Sequence, residues 1–71
     1  MDRFEGLNLT PREKEVAALL LKGYTLKQIA IDLDISTDTV KFHNKNLYKK
    51  LGISGRSQLF ARLGNERKSQ P

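Results

Sequence analysis

The chain has 71 residues, a formal net charge of +5, one histidine and no cysteine. A chain this short forms one small domain without a large enclosed active site, and the lack of cysteine excludes disulfides and cysteine-ligated zinc or iron–sulfur centres. No apolar run approaches the ~18 residues of a membrane span and no secretory signal is visible, so we expect a cytoplasmic domain with no membrane, metal, cofactor or small-molecule ligand.

The first helix is predicted over about residues 10–22. Thr10 supplies a hydroxyl at the N-cap, Pro11 takes the first helical position, and Glu13 lies three residues after the cap, which is the pattern of a capping box. An apolar stripe follows at helical spacing: Val16, Leu19 and Leu20. Gly23 then predicts the helix end, because glycine readily adopts the left-handed conformation.

The second helix, over about residues 26–33, starts with another capping box, formed by Thr25 and Gln28. Its inward-facing apolar residues are Ile29, Ala30 and Leu33. Asp34 is expected to end the helix in a left-handed conformation, which aspartate tolerates better than most residues do.

The third and fourth helices are predicted over about residues 37–50 and 56–63, with Ser36 and Gly55 as their N-caps. Residues 1–8 are expected to form a flexible lead-in. Residues 64–71 are expected to form a flexible tail, because nothing there can pack a core. The prediction is therefore an all-α, compact four-helix domain over residues 9–63.

The second and third helices fit a helix-turn-helix. The second is short and meets the third across a turn of about three residues. Ala30 is small where the two helices would cross, Ile35 fills the turn, and Val40 packs the third helix against the second. Many helical bundles match this spacing, so it needs support from the third helix.

The third helix has an apolar side and a basic side. With Val40 as origin and about 100° per residue, Leu47 and Leu51 lie on the same side as Val40. The opposite side carries three lysines, an aspartate, an amide and an aromatic ring: Asp38, Lys41, Phe42, Lys45, Asn46 and Lys49.

Positive charge also concentrates in this half of the chain. Residues 1–34 carry five basic and six acidic residues, a net charge of −1, whereas residues 35–71 carry eight basic and two acidic residues, a net charge of +6. Such a bias is typical of a surface that faces a polyanion, although a solvated helix face explains it equally well.

A helix about 10–12 Å across fits the ~12 Å major groove of B-DNA. Lysine can donate to guanine O6 and N7, and Phe42 can contact a thymine methyl. Candidate phosphate contacts lie outside or at the edge of the groove: Thr25, Lys27, Thr37, Thr39, Lys49 and Arg56. Asn44, Asn46 and His43 are further candidate DNA contacts, with His43 expected to be structural or phosphate-facing rather than catalytic.

A series of motifs occurs in order over residues 7–63. They are Leu9-Thr10-Pro11-Arg12-Glu13-Lys14-Glu15-Val16, Gly23, Lys27-Gln28-Ile29-Ala30, Ile35-Ser36, Thr39-Val40-Lys41-Phe42-His43, Lys50-Leu51-Gly52-Ile53 and Arg56-Ser57-Gln58. As an ensemble they resemble the LuxR/GerE-type helix-turn-helix DNA-binding domain of bacterial transcription regulators.

The resemblance implies that the third helix enters the major groove and that Lys41, Phe42 and Lys45 stand at base-reading positions. It also implies phosphate contacts by Thr25, Lys27, Thr39 and Lys49, and a homodimer through the fourth helix. The residues expected at that dimer contact are Gln58, Leu59, Phe60 and Leu63, although Leu59 and Phe60 can equally complete the core of the single chain.

Asn44 departs from the family pattern, in which this position is usually an apolar core residue. An unpaired buried amide costs about 1–3 kcal/mol, so we expect Asn44 either to find a hydrogen-bond partner or to reach DNA.

The predicted function is sequence-specific binding of double-stranded DNA without catalysis, by a regulator's DNA-binding domain or a very short complete regulator. RNA polymerase is a further candidate partner. Two alternatives stay open: a promoter-binding module like that of a sigma factor, and a basic helical module that binds protein or RNA. Whether a receiver or ligand-binding domain belongs to the same protein is also open.

Overall fold

The structure is a computed structural model that describes residue 4 and residues 6–64. It has four helices: α1 (Pro11–Leu21), α2 (Leu26–Leu33), α3 (Thr37–Leu51) and α4 (Arg56–Leu63). No strand occurs in the described part of the chain. The predicted all-α class is confirmed, and the predicted helix bounds differ from the observed ones by at most one residue.

The predicted caps form in the structure. Thr10 Oγ1 accepts from the Glu13 N–H at 3.1 Å, while the Thr10 N–H donates to Glu13 Oε1 at 3.0 Å. Thr25 and Gln28 make the same reciprocal pair at 3.1 and 2.8 Å. These bonds satisfy backbone N–H groups that have no partner inside the helix, and they explain why α1 and α2 begin where they do.

The turn between α2 and α3 is closed by backbone geometry. Asp34 adopts φ 58° and ψ 47°, the left-handed conformation expected for it. The N–H of Ile35 donates to the carbonyl of Ala30 at 3.0 Å, which reverses the chain directly after α2. The helix-turn-helix geometry follows from this short turn.

The apolar residues that face inward form one core. The buried members are Phe4, Leu9, Val16, Ala17, Leu20, Ile29, Ala30, Val40, Leu47, Leu51, Leu59 and Leu63. Phe4 lies within the lead-in predicted for residues 1–8, yet only 7% of it is exposed. The domain boundaries stay a prediction, and the proposed tail lies outside the described residues from position 65 onward.

Two basic side chains tie the carboxyl end of α3 to other parts of the fold. Lys50 Nζ donates to Glu13 Oε1 at 2.8 Å and to the carbonyl of Asn8 at 3.3 Å. Arg62 Nη1 donates to the carbonyl of Leu51 at 2.5 Å. The carboxyl end of α3 is therefore held against both α1 and α4.

Candidate nucleic-acid interface

The apolar side of α3 is buried as predicted. Val40 and Leu47 are fully inaccessible to solvent, and Leu51 is 5% exposed. Because these residues recur on one side of the helix, their burial turns the remaining side of α3 outward. The rotation of α3 about its axis is thereby determined.

The outer side of α3 carries three exposed lysines: Lys41, Lys45 and Lys49. None of them forms an ion pair with any residue that the structure describes. Asp38 is also exposed, in the first turn, where its charge is favourable toward the positive end of the helix dipole. The lysine charges are thus available to a ligand in solution.

Phe42 lies among these lysines and is 60% exposed, a large fraction for a phenylalanine. Its ring contacts the His43 ring edge-on, with 5.5 Å between the centroids and 68° between the ring planes. The contact supports the Phe42 ring from one side only. An apolar surface therefore remains beside the lysines.

Four of the six candidate phosphate contacts lie at the starts of α2 and α3. Thr25 and Lys27 are exposed at the start of α2, and Thr37 and Thr39 are half-buried in the first turn of α3. The hydroxyls of Thr25 and Thr39 already act locally: Thr25 caps α2, and Thr39 Oγ1 lies 2.8 Å from the N-cap hydroxyl of Ser36. A hydroxyl that accepts from a backbone N–H can still donate its own hydrogen to another acceptor, such as a phosphate oxygen.

Arg56 has a structural role that the sequence did not reveal. Its Nη2 donates to the backbone carbonyls of Leu20, at 3.4 Å, and of Tyr24. Leu20 lies in the last turn of α1 and Tyr24 in the loop after it, so the guanidinium joins the start of α4 to the end of α1 and to the α1–α2 loop. A phosphate contact by Arg56 stays a prediction. Local sequence does not indicate the structural role, because both partners are more than 30 positions away in the chain.

The two asparagines of α3 differ in their surroundings. Both are half-buried, but Asn44 Oδ1 is fully buried and has no hydrogen-bond partner among the described residues. The expected protein partner for this oxygen is therefore not found in the described fold. DNA contacts by Asn44, Asn46 and His43 remain predictions.

The residues expected at a dimer contact divide into two groups. Leu59 is fully inaccessible and Leu63 is 7% exposed, so both complete the core of the single chain. Phe60 is 39% exposed, and Gln58 is exposed while its Oε1 accepts from the Ser54 N–H at 2.6 Å. Of these four residues, only Phe60 and Gln58 offer outward surface.

Glu13, the buried carboxylate that pairs with Lys50 of α3, has a perturbed pKa. Burial raises the pKa of Glu13, but the hydrogen bonds from Lys50 and the Thr10 N–H, together with the Lys50 charge, outweigh burial and lower this pKa below its ordinary value of 4.5. Glu13 is therefore ionised at neutral pH. It neutralises Lys50 and leaves the outer lysines unaffected.

Within the described residues, no helix has both the length and the apolar character needed to cross a bilayer. Side chains that can ligate a metal do not cluster in threes in that part of the chain either.

A family model described as "Bacterial regulatory proteins, luxR family" matches residues 7–63. The probable transcriptional regulatory protein SgaR of Hyphomicrobium methylovorum is 52% identical over 54 residues, which cover 76% of this chain and 26% of SgaR. The HTH-type transcriptional regulator MalT of Yersinia pestis (strain Pestoides F) is 46% identical over 50 residues, which cover 70% of this chain and 6% of MalT. No solved structure matches the chain.

The aligned segment is thus about a quarter of the length of SgaR and a small fraction of MalT. The family match spans α1 to α4, including the turn at Asp34 and the lysine side of α3. This chain belongs to the luxR family of bacterial regulatory proteins, and its four helices form the helix-turn-helix domain of these DNA-binding regulators.

Proposed function

We propose that the domain binds specific sequences of double-stranded DNA with α3 in the major groove, and that it regulates transcription in the cytoplasm of a bacterium. The observation that carries the proposal is the row of exposed lysines on α3 without ion-pair partners in the described fold. The buried reverse side of the helix keeps this row outward, and the helix diameter of about 10–12 Å suits the ~12 Å groove.

Base readout falls to Lys41, Phe42 and Lys45. These residues lie on the exposed side in the central part of α3, where ammonium groups can donate to guanine O6 and N7. The exposed ring of Phe42 suits contact with the methyl group of thymine. The domain would therefore prefer sites that contain both guanine and thymine.

Phosphate contacts fall to Thr25, Lys27, Thr37, Thr39 and Lys49. Contacts of this type position a helix on the duplex without reading its sequence. Exposed Thr25 and Lys27 begin α2, and Lys49 lies one turn beyond Lys45 on the outer side of α3. Together they flank the base-reading residues from both directions along the chain.

Dimer formation through α4 is part of the proposal, and it rests on the outward surface of Phe60 and Gln58. This surface is small, since Leu59 and Leu63 belong to the core, so we expect a weak dimer that forms on DNA. Sedimentation with and without a palindromic duplex tests it: Phe60→Ser should reduce binding of the second copy. RNA polymerase is a further proposed partner.

Selection of bound sequences from a random duplex library provides the main test. We expect an enriched motif, and a symmetric motif if two copies bind, because half-site spacing mirrors protein symmetry. The triple variant Lys41→Ala, Lys45→Ala and Lys49→Ala should lose the motif and most of its salt-dependent affinity.

Two outcomes would contradict the proposal. One is a triple variant that binds duplex DNA with unchanged affinity and without dependence on salt. The other is equal affinity for structured RNA, which would favour the RNA-binding alternative, because the deep narrow major groove of A-form RNA does not admit a helix.

A further inference from the structure

The four helices meet at a cleft of about 200 Å³. Each helix contributes at least one side chain to its lining, which consists of Leu20, Leu26, Asn44, Tyr48 and Arg56. At about 100° per residue, Asn44 and Tyr48 lie on α3 between its buried apolar side and its lysine side. The cleft therefore borders the lysine row, and it extends from there to the start of α4.

Two lining atoms are buried without hydrogen-bond partners in the described fold: Asn44 Oδ1 and Arg56 Nε. One is an acceptor and the other a donor, yet they form no hydrogen bond with each other. A buried polar group without a hydrogen bond costs about 1–3 kcal/mol. Buried polar groups are therefore nearly always hydrogen-bonded, and we expect both of these atoms to have a partner in solution.

The surroundings hold both atoms in place. Arg56 is anchored because its Nη2 donates to the carbonyls of Leu20 and Tyr24. Asn44 lies in the middle of α3, between the fully buried residues Val40 and Leu47. Neither group can turn away to solvent without disturbing these contacts.

The chemistry of the two atoms restricts what can bridge them. A bridging group must accept from the Arg56 Nε–H and donate to Asn44 Oδ1. A carboxylate or a phosphodiester oxygen cannot donate, and an ammonium group cannot accept, so carboxylates, phosphodiesters and ammonium groups are excluded. A hydroxylic molecule does both, and the smallest of these is water.

We propose that a bound water molecule occupies this cleft, accepts from Arg56 Nε–H and donates to Asn44 Oδ1, so that it joins α3 to α4. The cleft exceeds the ~30 Å³ of one water, and a site with several polar partners is one in which buried water is stable. The bridge explains how an amide is tolerated on the core side of α3, and it does not depend on DNA binding.

Tyr48 supplies a further polar group to the same cleft. Burial raises the pKa of Tyr48, against the opposing effect of the Arg56 charge, so the phenol is neutral at physiological pH. Its hydroxyl can therefore exchange hydrogen bonds with water in the cleft.

Nuclear magnetic resonance on the full chain tests the bridge through the Arg56 Nε–H signal. We expect a cross-peak between this proton and water, of the sign that a protein-bound water gives. Asn44→Leu should abolish the cross-peak, because it removes the acceptor while keeping a branched side chain. The matched control Asn46→Leu, two residues away on the same helix, should retain it.

A crystal structure of the unchanged chain provides a second test that does not depend on how the variants fold. Density for a water within hydrogen-bond distance of both atoms supports the bridge. An empty cleft, a larger molecule in it, or a direct bond between Asn44 and Arg56 would overturn the proposal. Persistence of the water cross-peak in folded Asn44→Leu would also overturn it.

Discussion

Neighbouring lysines on α3 have different roles because each residue turns the helix by about 100°. Lys49 is exposed on the outer side, whereas Lys50 Nζ contacts Glu13 and the carbonyl of Asn8, with 35% of its side chain exposed. In the sequence alone, Lys49 and Lys50 are two adjacent residues of the same charge. Their contacts separate a lysine available to DNA from one that stabilises the fold.

The lysines of α3 also differ in what their loss should do to DNA binding. We expect Lys45→Ala to reduce discrimination between the selected site and random duplex by about 1–3 kcal/mol, because it removes a donor to a base. Lys49→Ala should instead weaken binding to all duplexes and lower the salt slope by about one, because it removes a phosphate contact. Fluorescence anisotropy across a salt series measures both effects.

Lys22→Ala is the matched control for these variants, since it removes the same charge from the exposed C-cap of α1. It should change both quantities little. If Lys45→Ala weakened selected and random duplexes by the same factor, Lys45 would be a phosphate contact rather than a base-reading residue.

Each helix begins and ends through bonds made within a few residues. The reciprocal pairs at Thr10 and Thr25 begin α1 and α2, and left-handed residues at Asp34 and Gly52 end α2 and α3. The end of α3 is the more consequential, since the chain must turn there for α4 to pack on α1. Element lengths therefore follow from local chemistry.

Gly52 is one of the glycines at which a substitution to alanine should be costly. Its φ of 69° disfavours a side chain by about 1–2 kcal/mol, although an added Cβ would meet no atom within 4 Å. We expect Gly52→Ala to lower the free energy of unfolding by about 1 kcal/mol in urea titration, purely through the backbone.

Gly55→Ala provides the comparison, since Gly55 has an extended backbone with φ −153° and equal room for a Cβ. The free energy of unfolding of Gly55→Ala should change by less than about 0.5 kcal/mol. Alanine is a slightly poorer N-cap than glycine, but it also lowers the conformational entropy of the unfolded chain, which stabilises the fold. Equal losses at the two glycines would show that backbone conformation is not the cause.

Long-range polar contacts hold the helices in their mutual positions. Glu13 and Lys50 are 37 positions apart in the chain, and Arg56 reaches the carbonyl of Tyr24 over 32 positions. Glu13 also closes the capping box of α1, so one carboxylate supports both a helix start and the contact between α1 and α3. Stability should therefore respond to the charge of Glu13.

The lowered pKa of Glu13 sets the direction of this response. A carboxyl with a depressed pKa contributes stability that is fully present above its ordinary value of 4.5 and is lost as the pH falls through the folded-state pKa. Glu13→Gln should lower stability at pH 7 by about 1–2 kcal/mol, since glutamine keeps the cap but loses the charge partner of half-exposed Lys50.

Urea unfolding of both chains at several pH values checks this expectation. The difference in free energy between the unchanged chain and Glu13→Gln should shrink as the pH falls below 4.5. A difference that stayed constant down to acid pH would mean that the charge of Glu13 does not contribute.

Sequence by itself determined the four helices, their caps and the opposition of apolar and lysine sides on α3. These features depend on helical periodicity and on bonds between residues three or four positions apart, which are legible in a linear chain. The left-handed turn at Asp34 was likewise predictable, because a short joint between two capped helices requires one there.

Only the tertiary structure decided which candidate side chains stay available. Packing of α4 on α1 buries Leu59 and Leu63, commits the Arg56 guanidinium to the α1–α2 loop, and leaves Phe60 outward. The burial of Phe4 and the lack of a partner for Asn44 Oδ1 are likewise visible only in the folded chain. Contacts between residues far apart in sequence depend on how whole helices pack, and no local pattern specifies that.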